Sequence, residues 1–415
     1  MNTPSALFVD LYELTMAQLY YERGMTGEAV FELTVRGLPN NWDYLIAAGL
    51  DRALAFLEAL HFDEDELAFL KTLPQFDQRF LERLSDLRFT GDAWAPPEGA
   101  VVYPGEPLIQ VIAPLPEAQI VETAMINQIA YPTLVASKAA RAVDAAAGRP
   151  VIEFGGRRAH GSEAAIEASR ATYIAGFEAT SSVEAGRRFG IPITGTMAHS
   201  FVLASDSEAD AFDAFVGRYP ATTLLVDTYD TASGVTNAIK TSRRFGPGSV
   251  GAIRIDSGNF RNEAWQARIK LDTSGLSDVR IVASGGLDEY QIAELVGSNA
   301  PIDVFACGTN IVAPPDAATL DSAYKMVEYE GRPVAKRSVG KPSIGHRKQV
   351  WRSADHDLVA RADDSAPADA EALLQPVMEG GQRTAQGRDS LTQIRARASL
   401  GRRSRSVEID PSLLR

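Results

Sequence analysis

The 415-residue chain has a single cysteine, Cys307. That excludes an internal disulfide and any metal site built on clustered cysteines, and it fits a reducing compartment. No segment approaches the roughly 18 uninterrupted apolar residues of a membrane-spanning helix. The N-terminus, MNTPSALFVDLYELTMAQLY, has no basic head and sets acids among its apolar residues, so it does not read as a secretory signal. Positive charge is also short. Lys and Arg number 41 against 54 Asp and Glu, a net charge of −13, which argues against a broad nucleic-acid surface. The expectation is a cytoplasmic protein with no membrane or nucleic-acid partner. An anionic substrate would need a local cationic pocket, so the placement of arginines and glycines becomes the question.

What is present is ordinary for a globular protein: 45% hydrophobic and 23% charged residues, over a length that predicts two or three domains. Residues 10–21 carry apolar positions at helical spacing, with Asp10 as cap. Ala29–Val35 reads as a strand, and Leu45–Leu60 and Asp63–Leu70 as amphipathic helices. Strands punctuated by Gly and Pro follow at Phe89–Gly91, Ala100–Tyr103 and Pro107–Ala113. Glu117–Ala146 is a long Ala-rich helical stretch interrupted at Pro132.

Strand-like cores then recur at Val151–Phe154, Ile193–Thr196, Thr223–Asp227, Ser249–Ile255, Arg280–Ser284 and Ile302–Cys307, with a weaker seventh at Tyr173–Phe177. Amphipathic segments separate them, and the alternation predicts βα units and a parallel sheet. The fold class expected is α/β: an irregular (β/α) barrel of about seven parallel strands, beside an α/β sandwich built from N- and C-terminal segments. A doubly wound open sheet is the competitor. After Pro315 strands return at Tyr324–Tyr329, Pro333–Lys336 and Lys348–Trp351, with a hairpin turn at Glu330-Gly331. The division expected is residues 1–137, an N-terminal sandwich with a connecting helix; 138–323, the barrel with the active site; and 324–415, strands and helices packing back on the first. Five arginines between Arg395 and Arg405 read as a charged helix end and a solvated terminus.

The ends of the central strands carry the chemistry. They read Phe154-Gly-Gly-Arg157-Arg158, then Gly195-Thr-Met-Ala-His199, Asp227-Thr-Tyr-Asp230, Arg254-Ile-Asp256-Ser257, Ser284-Gly285-Gly286 and Cys307-Gly308-Thr309. Guanidiniums suit planar anions. Two late strands ending in Gly-rich turns form the phosphate cradle common in barrels, where backbone N–H groups approach the anion. Arg254 and Asp256 alternate along one strand and share a face, either as an internal ion pair or as catalytic groups. Asp227 and Asp230 are candidate Mg²⁺ ligands, with a helix cap favoured for Asp230. His199 sits where it can act as acid, base or phosphoryl acceptor. His160 is read first as a helix-entry residue.

Taken in order, EFGGRRAHG (153–161), GFEATSS (176–182), GTMAHSF (195–201), LLVDTYDT (224–231), IRIDSG (253–258), SGGLDEYQI (284–292) and FACGTN (305–310) resemble the nicotinate phosphoribosyltransferases. DLYELTMAQLY, FELTVRGLP and YKMVEYEGRPVAKRS resemble the same family, so the likeness covers nearly the whole chain. It implies a type II phosphoribosyltransferase, a homodimer with sites shared between subunits. The reaction implied joins nicotinate to 5-phosphoribosyl 1-pyrophosphate, giving nicotinate mononucleotide and pyrophosphate with coupled ATP hydrolysis, in NAD biosynthesis or salvage.

By the same resemblance, Phe154 would stack on the pyridine ring, with Tyr12 of the partner subunit on its other face. Arg157 and Arg254 would lie around nicotinate and the ribosyl donor. His199 would be the histidine phosphorylated from ATP, and Asp256 would organise the ribose and Mg²⁺. Gly285, Gly286, Gly308 and Thr309 would hold the 5′-phosphate, with Lys325 and Arg36 as cationic helpers. Thr180, Ser181 and Ser257 join the substrate-binding set. The related nicotinamide enzyme places an aspartate where this chain has Ser181; a hydroxyl can donate to a carboxylate, whereas an aspartate would repel it. A quinolinate enzyme would need a denser cationic cluster, and a non-catalytic metabolite sensor would have no need of His199 or Asp256. With no C-terminal cysteines, no structural zinc is expected.

Overall fold

A computed structural model describes residues 4–338, 343–402 and 405–414. The chain divides into two compact units: residues up to Ser137 together with those from Asp316 onward, and Lys138–Pro315. The second boundary falls at Pro315 rather than at residue 323. The stretch from Asp316 is bonded into the first unit, where Trp42 Nε1 donates to Asp316 at 2.9 Å and Arg36 to Asp321 at 2.8 Å.

In the first unit, Glu28–Val35 is buried along most of its length because it is central in a seven-stranded sheet. It pairs antiparallel with Pro107–Pro114 on one side and with the late strand Ser322–Tyr329 on the other. The hairpin after Tyr329 turns where expected, with Glu330 and Gly331 both at positive φ. Leu33, Leu54, Phe62, Leu84 and Ile109 are fully buried in the core, each contributing ~1.5–3 kcal/mol. A four-stranded sheet adds Lys348–Arg352 and His356–Arg361.

Several local elements differ from the expectation. Leu45–Leu60 is not one helix: Gly49 at φ +92° splits it into a strand, Leu45–Ile46, and a helix, Leu50–Ala59. Pro132 does not interrupt its helix, which runs through Glu122–Ala145; the break lies at Val121, after Leu115–Ile120. Pro132 leaves the Gln128 carbonyl without its helical donor, and Gly49 packs directly against that carbonyl, where any Cβ would clash. The first strand after Phe89 starts only at Asp92. The arginine-rich tail is not simply solvated. Arg397 and Arg405 bond inward, Arg405 to Ser353 O at 2.6 Å and within 3.7 Å of the buried Asp357; Arg403 lies outside the described residues.

The second unit holds a six-stranded sheet, parallel throughout, in the order Ala179–Thr180, Val151–Glu153, Val304–Cys307, Arg280–Ser284, Val250–Ile255, Thr222–Leu225. Ile193 extends it by one parallel bridge to Thr180, so Ile193–Thr196 is a seventh edge without being a full strand. The sheet does not close among the described residues. Tyr173–Phe177 is not a strand: the helix Ser162–Ala175 runs on until Gly176 ends it at φ +116°, and the strand is Ala179–Thr180. Fully buried Ile253, Ile281 and Phe305 make these strands apolar on the helix-covered side.

Candidate active site

In a parallel sheet the carboxyl ends of all strands lie on one edge, and the polar residues at strand ends meet there. Phe154 follows Val151–Glu153 and is pinned by its N–H to Cys307 O at 2.7 Å. The Gly156–Arg158 turn then exposes Arg157 and Arg158. The half-buried Phe154 ring faces the guanidinium of Arg254, 6.0 Å from its centroid, a cation–π arrangement.

Arg254 is 9% exposed. Its Nη1 donates to Thr196 Oγ1 at 2.7 Å, its Nη2 lies 3.8 Å from Asp256 Oδ1, and its buried Nε has no partner. Burial pulls this guanidinium below its ordinary pKa, opposed by Asp256 and Asp227 and assisted by nearby Arg157. A buried donor without an acceptor is costly unless a ligand supplies one.

Asp256 is held from two sides. Ser284 donates to its Oδ1, and its own N–H donates to Asp227 Oδ2 at 2.9 Å. Ser257 Oγ donates to the same Asp227 oxygen at 2.6 Å. Asp256 Oδ2 faces His199 Nε2 at 3.8 Å, while His199 Nδ1 lies 3.1 Å from Thr228 Oγ1. His199 opens the short helix His199–Leu203 with its side chain 41% exposed, accessible to a ligand.

The two glycine turns adjoin this group. Gly285 takes φ +97° and packs on the Asp256 carbonyl, so closely that any side chain would clash. Asn310 Nδ2 donates to Gly286 O at 2.6 Å, joining the Ser284–Gly286 turn to the Gly308–Asn310 turn. Gly308 lies under Phe154, since a Cβ there would be 3.1 Å from Phe154 O. Thr180 is buried and Ser181 exposed at the adjacent strand end. Phe154, Arg254, Asp256, His199 and both glycine turns therefore form one connected group.

Tyr12, Arg36 and Lys325 belong to the first unit. Tyr12 is 45% exposed on helix Leu11–Glu22, where partial burial and the nearby Glu122 carboxylate push the pKa of its hydroxyl up. Arg36 and Lys325 line a cavity of about 380 Å³ with Thr34, Ser343 and Lys348. Asp230 caps Thr231–Phe245 through Ser233 N at 2.8 Å, and Asp227 supports the Asp256–Ser257 backbone. Thr196, Thr228 and Ser284 escaped the sequence reading. They are small hydroxyls at strand ends, and only their place beside Arg254, His199 and Asp256 marks them.

No group of three His, Cys, Asp or Glu side chains is arranged to hold a metal among the described residues. Asp256 Oδ2, turned toward His199, is a hard oxygen donor of the kind Mg²⁺ accepts when substrate phosphates and water supply the rest.

A family model for the nicotinate phosphoribosyltransferase (NAPRTase) N-terminal domain matches residues 7–130. A nicotinate phosphoribosyltransferase of Mycobacterium tuberculosis is 50% identical over 387 residues, 92% of this chain and 83% of that protein. The chain belongs to the nicotinate phosphoribosyltransferase family. Its structure matches human nicotinic acid phosphoribosyltransferase with a TM-score of 0.80 at 26% identity, over 98% of both chains. It also matches a nicotinate-nucleotide pyrophosphorylase of Pyrococcus furiosus with a TM-score of 0.79 at 27% identity, over 95% and 94% of the two chains.

Proposed function

We propose that this chain joins nicotinate to phosphoribosyl pyrophosphate, releasing nicotinate mononucleotide and pyrophosphate, with ATP hydrolysis coupled through phosphorylation of His199. The observation that carries the reading is the connected group of Phe154, Arg254, Asp256 and His199 between two glycine turns, in a chain of this family. Phe154 offers a flat apolar face to the pyridine ring, and Arg254 with Arg157 balances the nicotinate carboxylate and donor phosphates. Ser181 supplies a donor to the carboxylate.

Departure of pyrophosphate from C1′ leaves positive character on the ribose, as in glycoside cleavage. The carboxylate of Asp256, held in place by Ser284, stabilises that charge. Gly285, Gly286, Gly308 and Thr309 present backbone N–H groups to the 5′-phosphate. The ring nitrogen of nicotinate forms the new bond as the C1′–oxygen bond breaks, so the protein itself needs no nucleophile for this step. Mg²⁺ bound at Asp256 would supply charge for the pyrophosphate.

In the coupling step a ring nitrogen of His199 takes the γ-phosphoryl group of ATP and ADP leaves; water later returns the imidazole and releases phosphate. Thr228 and Asp256 orient that imidazole. The same family likeness supports a homodimer in which Tyr12 of the partner subunit covers the second face of the pyridine ring, with Arg36 and Lys325 assisting phosphate binding. A cytoplasmic setting suits a reaction on these soluble substrates, and no helix among the described residues is long and apolar enough to cross a membrane. A pyrophosphate-release assay with nicotinate, nicotinamide or quinolinate, each with and without ATP, tests the reading. Turnover of nicotinate, raised by ATP, is expected; turnover of quinolinate or nicotinamide alone would overturn it.

A further inference from the structure

Glu153 takes no part in the reaction above, yet its side chain lies directly beneath the turn proposed to grip the pyridine ring. It is fully buried at the end of Val151–Glu153. Its Oε1 accepts from the backbone N–H of Gly155, closing the turn that carries Phe154 and Arg157. Its Oε2 accepts from Thr180 Oγ1 at 2.6 Å and from Ser169 Oγ at 3.1 Å. Thr180 Oγ1 accepts in turn from Ser182 N at 3.0 Å, and the Glu153 carbonyl accepts from Ser181 N at 2.9 Å.

One residue thus ties together the aromatic turn, the strand end that carries Ser181 and the helix Ser162–Ala175 running between them in sequence. These carboxylate partners are two hydroxyls and an amide, none of them a cation. A buried charge is costly, and an apolar or amide side chain of similar volume would fill the space without that cost. What the carboxylate adds is two strong acceptors with fixed directions, since hydrogen bonds to an ionised group are shorter and stronger than neutral ones.

We propose that Glu153 is a positioning residue for the acidic ring: through Gly155 and Thr180 it sets the distance between the Phe154 plate and the Ser181 hydroxyl. The proposal rests on the reading of this chain as an enzyme acting on nicotinate. Asp256 and Gly285 lie two strands or more away from Glu153 in the sheet, and of the proposed donor contacts only Arg157 and Gly308 adjoin its turn, so the ribosyl donor should feel the change less than the acidic ring does.

Steady-state kinetics of the full-length protein test this. Glu153→Gln keeps the shape but puts an NH₂ group where a donor already points. Its KM for nicotinate is expected to rise about tenfold, with kcat and the KM for phosphoribosyl pyrophosphate changed by less than about threefold. Thr180→Val, which removes the hydroxyl and keeps the shape, should raise the same KM, and the double variant should fall short of the product of the two effects. A merely structural role would lower the melting temperature and kcat while leaving both KM values at wild type, and that result overturns the proposal. If Glu153→Gln does not fold, Ser169→Ala removes one donor only and should raise the nicotinate KM by a smaller factor; an unmoved KM there overturns it too. Wild-type protein inactive with nicotinate sinks the functional reading and this one with it, whereas active wild type with unmoved variants sinks the positioning role alone.

Discussion

At the scale of single residues, the site combines a half-exposed imidazole with buried groups that hold its surroundings still. His199 is within reach of ligand while Thr228 and Asp256 face its two nitrogens. If ATP drives the reaction through this residue, His199→Ala incubated with γ-labelled ATP should remain unlabelled; full labelling would remove His199 from that role. In the proposed reading Ser181 carries the choice between acid and amide. Ser181→Asp places a carboxylate against a carboxylate, and the nicotinate-to-nicotinamide ratio of kcat/KM should drop about tenfold or more. An unchanged ratio would mean that the discrimination lies elsewhere.

At the scale of elements, the strand ends were readable because glycine and alternation leave local marks. The strand Arg280–Ser284 lies where expected, with Gly285 and Gly286 after it. Gly285 matters for two reasons at once: its φ of +97° is unfavourable for an L side chain, and its Cα packs on the Asp256 carbonyl. Gly285→Ala should cost ~2 kcal/mol or more of stability and raise the KM for phosphoribosyl pyrophosphate. Denaturant unfolding and kinetics on one preparation would check both. Some elements differed from expectation because a glycine at positive φ ended or split them, as at Gly49 and Gly176. The helix runs on through Pro132, and Gly49, far away in the chain, packs against the carbonyl that the proline leaves without a helical donor.

At the scale of the whole molecule, charge is buried in more than one place. Glu13 in helix Leu11–Glu22 is fully buried, and loss of solvent pushes its pKa up from 4.5 to about 8, although bonds from Thr123 act in the opposite direction. Glu106 is pushed up too, by burial and by Asp357 beside it. A folded state that keeps protons after the unfolded chain has lost them is most stable below the unfolded pKa. It loses that advantage as pH rises through the folded value. Stability should therefore fall between about pH 5 and pH 8, and Glu13→Gln should flatten the slope. Denaturant midpoints across that range would show it, and equal slopes for variant and wild type would clear Glu13 of the effect. For the proposed shared sites, mixing Tyr12→Ala with His199→Ala should restore activity that neither has alone, once subunits exchange. No recovery in an exchanging mixture would place Tyr12 outside the partner's site.

The sequence by itself determined the βα rhythm, the glycine turns and the polar residues that gather at the strand ends. Those signals are local: alternation, helical period and turn chemistry act over a few residues and stay legible in one dimension. Only the tertiary structure decided which side chains hold these polar ones. Thr196 on Arg254, Ser284 on Asp256, Asp227 on the Asp256 backbone and Glu153 on Thr180 span 58, 28, 29 and 27 residues. Such pairs exist because the strand Val151–Glu153 settles between Ala179–Thr180 and Val304–Cys307, and that neighbour order is set by how apolar faces pack, which no short stretch of chain records.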